Sequence, residues 1–139
     1  MKVFKFLVVA ALLSGCGGFY PGDQVENRPH FTAALAGESA ARGSLTANYS
    51  PSRRILAWRL SYSGLSGPIT WAEFRGPDIE GTDSAIVPIN LPLEGNPHPG
   101  EATITDRQAA DLEAGRWYVV LKTEKFPAGE VRGPVVLAH

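Results

Sequence analysis

Few residues in this chain have the type and spacing that chemistry demands. The only cysteine, Cys16, is the only thiol and has no partner for a disulfide. The three histidines stand far apart: His30 at the entry to the folded part, His98 in a loop over 95–100, and His139 at the C-terminus. None has ligand spacing, and all three read as solvated loop residues. Asp78, Glu80 and Asp83, with Gly76 and Gly81, form an acidic loop. Its alternation is too loose for an EF-hand and lacks the terminal glutamate, so it reads as a solvated turn. No Gly-x-Ser-x-Gly, His-Glu-x-x-His or P-loop occurs. What remains are charges and aromatics in alternating segments. Glu73 and Arg75, at i and i+2, share a strand face with Trp71 and Ile69, while Lys122 shares one with Tyr118, Val120 and Glu124. Trp71, beside these charges, is the tryptophan placed to touch a ligand. No nucleophile stands with a base, so the residues predict no catalytic group, no metal and no cofactor.

The setting of Cys16 explains its presence. Met1-Lys2-Val3-Phe4-Lys5 is a basic start, residues 6–12 are apolar, and Leu13-Ser14-Gly15 runs into the cysteine. This is the build of a secretory signal peptide. A bilayer span needs about 20 apolar residues, so the run is too short to remain as a transmembrane helix. The small-residue pair before Cys16 resembles the lipobox of bacterial lipoproteins. That resemblance implies cleavage before Cys16, a lipidated (palmitate-bearing) thiol and a membrane partner held through the lipid. At about 0.8 kcal/mol per buried methylene, several acyl chains make such attachment effectively permanent. Gly17 and Gly18 follow the cysteine and no aspartate does, which in enteric-type lipoproteins implies the outer membrane of a Gram-negative envelope.

Those boundaries divide the chain into a signal peptide (1–15), a lipidated N-terminus and tether (16–29) and one domain (30–139). Loss of Lys2 and Lys5 with the signal leaves 11 basic against 14 acidic side chains. No basic patch stands out, which excludes nucleic acid as the expected partner. With no disulfide available, packing and backbone pairing must hold the fold. Fifteen glycines and eleven prolines point to many turns and to β structure.

Alternation begins at His30. Phe31, Ala33 and Leu35 share a face, as do Leu45, Ala47 and Tyr49, and then Leu56, Trp58, Leu60 and Tyr62. Turns at 50–52 and 63–68 separate these runs from a fourth strand over 69–75, closed by Gly76-Pro77. A fifth is expected over 85–90, its Pro88 marking an edge or bulge, and a short sixth over 102–104. Thr105 with Gln108 forms a capping box for a short helix over about 106–114 that Gly115 ends. Strands over 117–124 and 130–137 complete an all-β, antiparallel sandwich of seven or eight strands.

The segment Gly115-Arg116-Trp117-Tyr118-Val119-Val120, then Thr123, then Phe126-Pro127-Ala128-Gly129-Glu130-Val131-Arg132-Gly133, resembles the C-terminal signature of the CHRD (chordin-type) domain. Earlier segments match in order: Gly64-Leu65-Ser66-Gly67 resembles the turn before that domain's histidine-bearing strand, and 101–115 its threonine–glutamine–leucine-glycine stretch. The resemblance covers about 31–137 and implies an immunoglobulin-like or superoxide-dismutase-like β-sandwich. It also implies that Glu130 and Arg132, members of the signature, share a strand face and pair within the sheet or brace the turn 127–129.

The chain departs from the family pattern where that pattern carries histidines. Two on the fourth strand and one on the penultimate strand are replaced by Glu73, Arg75 and Lys122. Arginine and lysine stay protonated near neutrality and are not ordinary metal ligands. Superposed on the family, Glu73 and Lys122 are cross-strand neighbours, so an exposed ion-pair cluster of Glu73, Arg75, Lys122 and Glu124 is expected, worth about 0–1 kcal/mol per pair. Two readings of function follow. One is a non-enzymatic, lipid-anchored binding module of the envelope, meeting an unidentified protein or glycan through Trp71, Glu73, Arg75, Tyr118 and Lys122, or through the loops 76–83 and 93–100. The other, by analogy with the dismutase-like architecture, is a metal-binding or redox envelope protein.

Overall fold

A computed structural model describes residues 27–77 and 83–139, with only the backbone described for 83–85. The signal segment, Cys16, most of the tether, and Asp78 and Glu80 of the acidic loop lie outside the described residues.

Strict alternation builds the first three strands. In β1 (His30–Ala36) Phe31, Ala33 and Leu35 are buried between exposed neighbours. In β2 (Arg42–Ser50) Leu45, Ala47 and Tyr49 are buried, and in β3 (Ile55–Ser63) Leu56, Trp58 and Leu60. They form an antiparallel meander pairing Leu45 with Leu60 and Ala47 with Trp58. The chain then crosses to β4 (Ile69–Pro77) and its hairpin partner β5 (Asp83–Pro88). It returns to β6 (His98–Thr103) beside β3, passes through α1 (Asp106–Glu113), and finishes with β7 (Tyr118–Thr123), β8 (Val131–Pro134) and β9 (Val136–Leu137).

Among the described residues every pairing is antiparallel, in the order β5-β4-β7-β8-β1-β2-β3-β6, with β9 on β1. The path folds over on itself, so β5-β4-β7-β8 faces β1-β2-β3-β6. Phe74 of β4 meets the Trp58 ring of β3 edge-on, with ring centroids 5.0 Å apart, and lies 5.7 Å from Trp117. These aromatics fill the space between the halves. The expected all-β sandwich is therefore present, as a nearly closed sheet with, among the described residues, one short helix.

The halves join narrowly, where β8 pairs β1 through Ala36 and Arg132, and β9 pairs it through Phe31 with Leu137 and Thr32 with Val136. The backbones approach so closely that a Cβ at Gly133 would overlap the Ala34 carbonyl oxygen, and one at Gly37 that of Glu130. Only glycine fits at either position.

The helix carries the expected capping box. Thr105 accepts from the Gln108 backbone N–H at 3.1 Å, and the Gln108 side chain accepts from Thr105 N–H at 2.8 Å. Several strand expectations shift. β4 runs on through Gly76 and Pro77, expected to close it, because both pair with β5. β5 ends at Pro88, two residues short. β6 begins at His98, so His98 lies on a strand and not within a loop. Pro99 and Gly100, expected in that loop, pair with Arg59 and Trp58 on an edge strand, where a missing amide hydrogen is tolerated. The last strand divides at Val135, whose side chain is fully buried and whose N–H donates to Trp117 O at 2.9 Å. Pro134 has no N–H with which to continue the ladder.

Candidate functional site

The outer face of β4 and β7 gathers all five residues expected there. Antiparallel register sets Trp71 opposite Lys122, Glu73 opposite Val120 and Arg75 opposite Tyr118. Glu73 is the hub. Its Oε2 accepts from the Trp71 indole N–H at 2.6 Å and its Oε1 from Arg75 Nη1 at 2.7 Å, while Lys122 Nζ stands 3.7 Å from Oε1. Arg75 Nε also donates to the Tyr118 hydroxyl at 3.0 Å.

Although it points away from the core, Glu73 is only 2% exposed. The expectation of an exposed pair is corrected: the indole and the two cationic side chains close over the carboxylate. Burial works against its ionisation, but the hydrogen bonds from Trp71 and Arg75 and the charges of Lys122 and Arg75 outweigh it. Its carboxyl is held below the usual carboxylate value. The bond to Glu73 in turn raises the Arg75 guanidinium above its ordinary value. Glu124 does not join the cluster; it is exposed, one residue past the end of β7.

This donor set does not fit a metal ion. One carboxylate is already engaged by two cations, whose charge opposes a third. Among the described residues no three His, Cys, Asp or Glu side chains are grouped to hold a metal. His30 and His139 are exposed, and His98 is tied to the loop before β6 by a 3.0 Å bond from Glu94 N–H to its Nδ1.

Glu130 and Arg132 do not share a strand face, contrary to expectation. Glu130 precedes β8 and turns into the end of the sandwich, 1% exposed. There it accepts from the hydroxyls of Ser39 (3.0 Å), Ser66 (2.6 Å) and Thr123 (2.8 Å) and from Ser66 N–H (3.0 Å). Burial raises its pKa, but these neutral donors overcome that and hold the carboxyl below the usual range. It ties the β1–β2 link, the β3–β4 link and the end of β7 together, a structural role. Ser39, Ser66 and Thr123 escape sequence reasoning as a group, because nothing in their spacing announces that three distant segments meet. Arg132 stays outside, opposite Val120; it donates to Ala128 O at 2.7 Å, bracing the turn 127–129, and lies over the Tyr118 ring at 5.7 Å. It therefore adds a third cation to the face bearing Glu73.

Trp71 is 49% exposed, against 5% for Trp58 and 1% for Trp117, which are core residues. It forms one wall of a hollow of about 180 Å³, with Thr70, Pro88, Asn90 and Leu91 among the others. A separate hollow of about 440 Å³, walled by Tyr62, Leu65, Ile69, Leu91 and Leu93 among others, has no charged residue in its lining. Of the two loops expected as alternative contact surfaces, 78–82 lies outside the described residues. The other is cut short by β6 and held to β3 by Asn96, which bonds both backbone groups of Tyr62.

The CHRD domain family model matches residues 26–135 of the chain. No curated protein and no solved structure matches the chain. The match spans most of the chain, which therefore belongs to the CHRD domain family.

Proposed function

We propose that this CHRD domain protein is a non-enzymatic binding module of the bacterial cell envelope, anchored through lipid on Cys16 and meeting a protein or glycan partner with the outer face of β4, β7 and β8. The observation that carries the reading is Trp71, a half-exposed indole locked by its own N–H onto a buried carboxylate. A large aromatic fixed in one orientation at the surface loses little freedom on contact, which is the property of an interface anchor. Around it stand paired charges in place of a nucleophile and base. The metal-linked alternative loses support because Arg75 and Lys122 occupy positions where ligands would be needed.

Two measurements on the full chain test this. Cells fed labelled palmitate incorporate label into the wild type and not into Cys16→Ser, which moves to the soluble fraction; equal labelling of both would rule out the lipid anchor. Titration with copper and zinc leaves the melting temperature unchanged, and uptake of one metal per chain would return the metal reading.

A further inference from the structure

We infer that the ligand of this face is a polysaccharide carrying carboxylates, a uronic-acid glycan, one of whose rings stacks on Trp71 while its carboxylate meets Lys122; this rests on the proposed role of the face as a contact surface. The indole N–H is spent on Glu73, so the exposed half of Trp71 is ring surface held at a fixed angle. A flat, rigid aromatic is what the C–H face of a pyranose packs against. The adjoining hollow of about 180 Å³ is smaller than the ~300–1,000 Å³ of sites that enclose a drug-sized ligand. It suits one ring of a longer chain, and Thr70 and Asn90 in its wall offer neutral hydrogen-bonding groups to hydroxyls.

Charge selects an acidic glycan over a neutral one. The strands of this face bring Arg75, Lys122 and Arg132 around the single carboxylate of Glu73. Lys122 stands opposite Trp71 in register, and its Nζ lies 3.7 Å from Glu73, beyond good hydrogen-bond length, on a side chain 26% exposed. Its ammonium donors are therefore placed to turn toward an anion beside the indole. A peptide fits less well. Extended peptides gain affinity by adding to a strand edge, and the edge next to Trp71 is β5, which carries Pro88 opposite Glu73.

The test is titration of the full chain, in detergent, with oligogalacturonate, its methyl ester and poly-glutamate. Oligogalacturonate should bind, lose affinity as salt rises, and exceed both controls. Trp71→Ala and Lys122→Gln should each weaken it about tenfold. Trp71→Phe, which keeps a ring but not the N–H that fixes it and guards against a folding defect in the alanine variant, should bind more weakly than the wild type and more tightly than Trp71→Ala. Equal binding of the methyl ester, or equal binding of poly-glutamate, would overturn the inference, as would no binding at all. In each of those cases photo-crosslinking from position 71 decides separately whether the face is a contact surface.

Discussion

Two buried carboxylates organise this protein, and their partners separate their roles. Glu73 is neutralised by cations on an outward face, whereas Glu130 is held by hydroxyls and an amide at the end of the sandwich. Both carboxyls sit below the ordinary value of 4.5. A depressed carboxylate contributes stability that is fully present above the unfolded value and is lost as pH falls through the lower folded value. The melting temperature should therefore drop on acidification below about pH 4.5, and the double variant Glu73→Gln/Glu130→Gln should flatten that limb. An unchanged acid limb would contradict the pairing described. At neutral pH Glu130→Gln should lower the melting temperature, because the amide N–H₂ replaces an acceptor where donors converge. Glu73→Ala should cost about 1–2 kcal/mol in urea unfolding, since Arg75 and Lys122 are each partly exposed and regain water.

At the scale of elements, the β8–β1 junction is where backbone from the two halves packs directly against glycine. Gly133→Ala places a methyl group on backbone that cannot yield, and should abolish cooperative unfolding or lower the melting temperature far more than Gly67→Ala. A Cβ at Gly67 would have no atom within 4 Å, and its substitution should be neutral to within about 0.5 kcal/mol. Among the described residues the strand path ends at β5 and β6, which carry Pro88 and Pro99, and a proline lacks the amide that would pair with another chain. Much of this architecture is legible in the sequence. Strands β1 to β3 alternate over most of their length, and Thr105, Gln108 and Gly115 are local signals for a helix and its ends. β6 is longer than its sequence suggests because Pro99 and Gly100 carry turn signals that pairing with Arg59 and Trp58 overrides. The face of Glu73 and Lys122 is legible because period-two spacing and family order place them together. The burial of Glu73 and the Ser39–Ser66–Thr123 cradle of Glu130 are not, since both depend on contacts between distant segments.

On the scale of the whole molecule, the core and the outer face divide the same strands. Ala72, Phe74, Val119 and Leu121 point inward while Trp71, Glu73, Arg75, Tyr118 and Lys122 point outward, so the packing that joins the halves also fixes the outer side chains. Phe74→Ala should cost about 3–5 kcal/mol in urea unfolding, as it empties the space between Trp58 and Trp117. Among the described residues no helix is long and apolar enough to cross a membrane; under the proposed function, attachment belongs to Cys16 and contact to the sandwich. The central claim, that this outer face meets a partner, is tested most directly by placing a photo-crosslinking side chain at Trp71 in cells, with the same group at exposed Arg59 on β3 of the opposite half as control. Discrete higher-mass adducts are expected from position 71 and none from 59. Adducts from neither position, or the same adducts from both, would contradict the claim.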